Sequence, residues 1–314
     1  MAVFTATLNQ TAFLMLFIAL GYILIKWKLI PENSHTVLSK LENYVFVPAL
    51  VLGTFMDKFT VETLSTTGSL LLGSLGLALI AIALSLVCVR FCSKDKYVQN
   101  IFTYGLCFSN FGYVGNAVVS ALFPAFFMDY LVFTLPLWTL IYLWGVPVLL
   151  MGDGQKVSLS RRLKNFCNPM LICTVIGMIF GLTGFSVPQF VGSAVSAAGN
   201  CMSPVAMLLT GMTIAKLSLR EVLGIKSVYA VSALRLLVFP LLFIGAMKFI
   251  PMSETFATCA VCSLAMPLGL STIIIPSAMG KDTTVASSMA LVSHVLSCLT
   301  IPVIFMLFGY LMGQ

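Results

Sequence analysis

The chain has 314 residues, of which 60% are hydrophobic and 9% charged, with a mean hydropathy of +1.06. A water-soluble domain needs far more charge to cover its surface, so this composition excludes a soluble enzyme and indicates an integral membrane protein. The net charge of +7 is dispersed over several connections rather than gathered in one patch, which argues against a nucleic-acid partner and for contact with an anionic lipid bilayer.

In chain order, ten apolar runs are long enough to cross a hydrocarbon core, for which about 20 residues suffice. They cover about 7–25, 37–56, 68–89, 98–122, 130–151, 169–185, 193–215, 228–249, 255–279 and 285–311. They are continuous rather than alternating, which points to helices and against an outer-membrane barrel. The first run has no Lys or Arg before Lys26 and no small-residue cleavage site at its end, so it reads as an uncleaved helix. With the N-terminus outside, the odd-numbered connections carry fourteen of the seventeen basic residues, from Lys26 and Lys28 through Arg161 and Arg162 to Lys281. That bias places both termini on the extracytoplasmic side.

The two halves share a register. Gly21 falls on Gly177, Pro48 on Pro204 and Tyr44 on Asn200 at an offset of 156, and Gly112 meets Gly269 at 157. Five runs make one unit (1–151), a short basic connector follows (152–168), and the second unit (169–314) enters the membrane from the opposite side because five is odd. An inverted repeat of this kind is typical of secondary transporters. The fourth run holds SNFGYVGN (109–116) and the ninth SLAMPLGLS (263–271), where Gly112, Gly115, Pro267 and Gly269 predict interrupted helices at corresponding depths. Interruptions are tolerated at the bilayer centre only against protein or a wet cavity, and half-helix N-termini there suit a carboxylate.

NFGYVGN in the fourth run, PAL in the second, MSPVAMLLTGMTIAK in the seventh, RLLVFP in the eighth and AMPLG in the ninth resemble the auxin efflux carrier family. That family includes malate and malonate permease-like prokaryotic members and the plant PIN auxin exporters. The resemblance covers essentially the whole chain. It implies an all-α membrane protein of ten transmembrane helices with the elevator architecture of sodium/bile-acid symporters. Helices 1, 2, 6 and 7 would form a scaffold, often a homodimer, and helices 3–5 and 8–10 a transport domain whose fourth and ninth helices break and cross. The long cytoplasmic loop of many plant members is absent, so the chain looks like the compact form found in the plasma (inner) membrane of prokaryotes. One departure is Asn116 after Gly115, where the family usually has Pro.

The resemblance makes Asn110 the amide that meets a substrate carboxylate, with Ser109 and Asn116 beside it. An uncharged amide binds an anion without a standing charge at the bilayer centre. Asn43 and Asn200, at repeat-related positions near Pro48 and Pro204, would face the crossing from the scaffold or pack there. Tyr113, Met266, Pro267 and Leu268 would shape the pocket or fill the core. Arg235 lies about 10 Å into the eighth run at 1.5 Å per residue, too deep to face lipid. It would snorkel, bridge carbonyls or attract the substrate. His294, midway along the tenth run, would carry a proton or hold a carbonyl as a neutral ring. Glu42 and Asp129 stand toward the ends of their runs, so coupling through a central acid is not expected.

The expectation is a carrier of small organic anions, mono- or dicarboxylates, without cofactor or metal. The alternatives are a proton- or sodium-coupled symporter and a membrane carboxylate sensor that moves nothing. No HExxH, paired-aspartate or GxSxG pattern supports an enzyme, GDGQK (152–156) lacks the spacing of a phosphate loop, and the nine cysteines read as small buried hydrophobes.

Overall fold

The computed structural model describes residues 2–31, 33–151, 169–216 and 223–312. The connector 152–168, with Lys156, Arg161, Arg162 and Lys164, lies outside the described residues, as does Arg220. The described residues form helices joined by short non-helical stretches and contain no strand.

Helix α1 (Ala2–Lys26) leads to α2 (Ser34–Leu41), which passes through a π-turn (Glu42–Phe46) into α3 (Val47–Lys58). Helix α4 (Val61–Cys92) starts at a reciprocal cap in which Thr60 and Thr63 each accept the other's backbone N–H. Helix α5 (Lys96–Cys107) is capped by the Asp95 carboxylate, which accepts the Val98 N–H at 2.8 Å. A π-turn (Phe111–Gly115) and α6 (Asn116–Leu122) follow. Helix α7 (Phe127–Leu140) runs into a π-wound stretch (Ile141–Leu150).

After the connector come α8 (Pro169–Thr183), α9 (Gln189–Asn200) and α10 (Met202–Ala215). Helix α11 (Lys226–Ala233) passes through a π-turn (Leu234–Val238) into α12 (Phe239–Ala246). Helices α13 (Glu254–Leu264), α14 (Ser271–Ala278) and α15 (Thr284–Met312) complete the chain. Five of these stretches are long and apolar enough to cross a membrane: Thr67–Cys92, Pro124–Leu150, Gln189–Ala215, Lys226–Ala246 and Thr284–Met312.

Three π-turns have a common cause. Pro48, Pro147 and Pro240 have no N–H to return to the carbonyl four residues back. The winding loosens there, so Val47, Met151 and Phe239 bond to Glu42, Val146 and Leu234, five residues back.

Glycines set the tightest contacts. A β-carbon on Gly21 would collide with the Leu208 carbonyl, and one on Gly211 with the Ile18 carbonyl, so α1 and α10 touch backbone to backbone. Gly181 likewise seats α8 on the Phe55 and Phe59 carbonyls at the end of α3. The aromatic core gathers elsewhere, with Phe102, Tyr104, Phe108, Phe111, Tyr130 and Phe133 all buried. Large apolar side chains such as Leu72, Ile80 and Phe91 point outward from α4, as lipid allows.

Candidate functional site

Two helices stop in mid-course and meet. Helical pairing ends at Cys107 and resumes at Phe111, and it ends again at Leu264 and resumes at Ser271. The two gaps pair as one antiparallel bridge, Ser109 with Leu268, in which the Asn110 N–H donates to the Pro267 carbonyl at 2.7 Å. The Ser109 hydroxyl donates to the Ser263 carbonyl at 2.9 Å, and the Leu268 N–H to the Ser293 hydroxyl of α15 at 3.2 Å. Backbone groups released by the breaks therefore find partners inside the protein.

Arg235 serves the remaining carbonyls. Its guanidinium, 1% exposed, donates to Leu106 O at 2.8 Å, Ser263 O at 2.7 Å and Met266 O at 3.4 Å. These lie at the C-terminal ends of α5 and α13, where helix dipoles leave partial negative charge. One cation thus closes the negative ends of both broken helices. It neither snorkels nor faces an open space.

His294 lies behind the same junction. Its Nδ1 is 2.7 Å from the Ala290 carbonyl, which can only accept, so Nδ1 carries the hydrogen. Nε2, 3.1 Å away, then accepts from the Asn110 side-chain amide. Tyr130 donates to Phe111 O at 3.1 Å, where Gly115 leaves room for the phenol and Gly112 for the Trp138 ring. Neither glycine has positive φ, so close approach rather than a left-handed turn calls for them.

In front of the junction opens a cavity of about 370 Å³. Gly112 and Tyr113 reach it from the start of the fourth run's second half, and Ser271 from the start of α14. Ser39 and Asn43 line it from the second run, with Trp138 and Tyr142 stacked at 6.0 Å and 20° on the opposite wall. Tyr113 spans the cavity's edge, its hydroxyl donating to Asn43 Oδ1 at 2.8 Å. Two N-terminal half-helix ends face this space, while the C-terminal ends are held by Arg235. The cavity therefore combines positive backbone dipoles with aromatic walls and carries no fixed charge of its own.

Of the residues singled out in the sequence, Asn43, Tyr113 and Gly112 line the cavity. Ser109, Asn110, Asn116, Met266, Pro267 and Leu268 are buried behind its wall, with Gly115 and Gly269 packed among them. Asn200 is exposed and is not part of the lining. The sequence reading missed Ser39, Trp138, Tyr142 and Ser271. The i, i+4, i+8 spacing of Ser39, Asn43 and Val47 is a usable signal for one helix face, whereas aromatic residues in an apolar run give none. Phenylalanine at Tyr113 removes the bond to Asn43 and is expected to lower the melting stability of the solubilised protein by about 1 kcal/mol, measured by thermal unfolding in detergent.

A search of curated proteins finds no match to this chain. The family profile described as membrane transport protein matches residues 6–162 and again 155–305, so two successive matches cover nearly the whole length. The chain belongs to that family, the membrane transport proteins of the auxin efflux carrier type.

Proposed function

We propose that the chain is a secondary carrier of small organic anions, mono- or dicarboxylates, built as ten membrane-crossing segments in two inverted five-segment repeats. The observation that carries this reading is the convergence of two half-helix N-termini on one uncharged cavity, with Arg235 engaged at the opposite helix ends. Such a site favours an anion while leaving none of its own charges to be carried back empty.

Hydrogen bonding supports an elevator-like movement. The fourth, fifth, eighth, ninth and tenth segments are joined by Arg235, Tyr130–Phe111, Asn110–His294 and Leu268–Ser293. Ser74 ties the third segment to Phe133. Near the basic connections, Lys281 holds the carbonyls of Leu150 and Met151 at 3.3 and 3.2 Å, and Tyr97 donates to Asp282 O at 2.8 Å. The first, second, sixth and seventh segments pack through glycines, with Lys216 beside His35 at 3.4 Å at one end. Across the boundary run Tyr113 to Asn43 and Lys58 to Pro124 O at 2.8 Å, both at edges where they can open. The scaffold set would also pair two copies as a homodimer. The cavity's lining includes Ser39, Pro169 and Met170, beside the basic connections, so on the charge bias this reading takes the arrangement to be inward-facing.

A thermal-shift panel of malonate, malate and indole-3-acetate on the purified chain tests the reading. A true ligand at about a hundred times its Kd adds about 2.7 kcal/mol. Asn43→Ala, which removes a side chain from the cavity lining, is expected to abolish that gain while the apo melting profile stays cooperative. No stabilisation by any carboxylate, together with no uptake into proteoliposomes, would remove the anion-carrier reading.

A further inference from the structure

Glu42 opens the π-turn between α2 and α3, one residue before Asn43. The sequence sets it toward the end of a run, but the structure covers it completely: it is 0% exposed. Neither carboxylate oxygen has a hydrogen-bond partner, and the other orphaned side-chain atoms among the described residues are hydroxyls, of Ser232, Ser287 and Thr300. An ionised carboxylate in that state costs several kcal/mol unless something neutralises it.

The surroundings narrow what can. The turn packs against α2, α3, α8, α9 and α10. Helices α9 and α10 carry no Asp, Glu, Lys, Arg or His, and α8 contributes only Cys173 as a titratable group. On α2, Lys40 is exposed and His35 sits beside Lys216 at 3.4 Å. Asp57 and Lys58 stand at the far end of α3, about 22 Å along the helix at 1.5 Å per residue. From the broken fourth segment the Tyr113 phenol reaches the residue next to Glu42, its hydroxyl donating to Asn43 Oδ1 at 2.8 Å. A metal cation would need several converging ligands, and among the described residues no group of three or more His, Cys, Asp or Glu side chains is placed to hold one. A proton needs a single oxygen.

We propose that Glu42 is a proton-binding site whose occupancy depends on whether Tyr113 is docked on Asn43. This rests on the carrier reading and extends it to coupling. With Tyr113 docked, Glu42 is sealed and keeps its proton. When the transport set moves and Tyr113 leaves, the cavity lined by Ser39 and Asn43 reaches Glu42. Its O–H bond breaks, the electron pair stays on the carboxylate and the proton passes to water. Glu42 would then link anion movement to a proton gradient.

Infrared difference spectroscopy on the purified full chain tests this without any substrate, and so independently of whether the anion reading holds. Raising the pH from about 6 to about 9 is expected to remove a protonated-carboxyl C=O band from the wild type, a range in which ordinary carboxylates do not titrate. Glu42→Gln should lack that change. In Tyr113→Ala, the band should disappear at least about one pH unit earlier, because water reaches the acid. Melting curves give a second readout that tolerates a weakened variant. The wild type should lose stability as pH rises through this range, while Glu42→Gln stays flat. A wild type without the band, or a band unchanged in Glu42→Gln, overturns the site. A band indifferent to Tyr113→Ala overturns the coupling.

Discussion

Replacing Arg235 by methionine is expected to lower the stability of the folded protein by about 4 kcal/mol or more, enough to leave little monodisperse material after extraction. Methionine keeps the apolar stem and removes every donor. The Leu106 carbonyl would lose its partner outright, because the N–H four residues on, Asn110, is already committed to Pro267. Met266 O at the second break would lose its donor too, while Ser263 O would keep only the Ser109 hydroxyl. Each charge-assisted bond of this kind contributes about 1.5–3 kcal/mol, and the orphaned carbonyls are buried where water cannot replace the donor. Two partly negative helix ends would also be left facing each other. Arg235→Lys should fall between, since a single ammonium lacks the planar fork that reaches three carbonyls on two helices. Thermal unfolding followed by size exclusion measures both. A methionine variant melting within about 0.5 kcal/mol of the wild type would mean that the guanidinium does not hold the junction.

The places where helices stop were legible because each carries its own cause. Pro267 lacks an N–H, and Ser109, Asn110, Gly112 and Gly115 are poor company for an uninterrupted apolar helix. The π-turns, by contrast, could be located only in part: Pro48, Pro147 and Pro240 mark a fault in the helix, but not whether it kinks or loosens by one residue. What joins to what was not readable. A lone arginine inside a span is compatible with snorkelling, bridging or ligand attraction until the atoms opposite are known, and those lie 129 and 28 residues away in the chain at Leu106 and Ser263. The cavity wall was equally hidden, since Trp138 and Tyr142 sit in a run that is apolar throughout. Glu42 shows the limit of judging depth by position along a run. Its place toward the end of a run did not mark it as buried, yet the structure covers it completely.

Valine at Gly211 is expected to separate α1 from α10, with a cost at or beyond the roughly 1–3 kcal/mol usual for overpacking. The reason is the identity of the obstacle. The added carbon would fall on the Ile18 carbonyl and close to the Tyr22 backbone nitrogen, and no rotamer change moves a main-chain atom out of the way. Gly21→Val meets the Leu208 carbonyl from the other side of the same seam, so the two substitutions strain one interface and their costs should not add. Gly76→Ala on α4 is the matching control. Nothing lies within 4 Å of a β-carbon there, and alanine's higher helix propensity should make the change neutral or mildly stabilising. The comparison bears on movement as well as folding. If one set of helices slides past the other, as proposed, the set that stays in place must hold its shape. Close backbone packing is what α1 and α10 have for that purpose. Fluorescence-detected size exclusion after heating would rank the three variants. Gly211→Val surviving as well as Gly76→Ala would show that the seam does not hold α1 and α10 together.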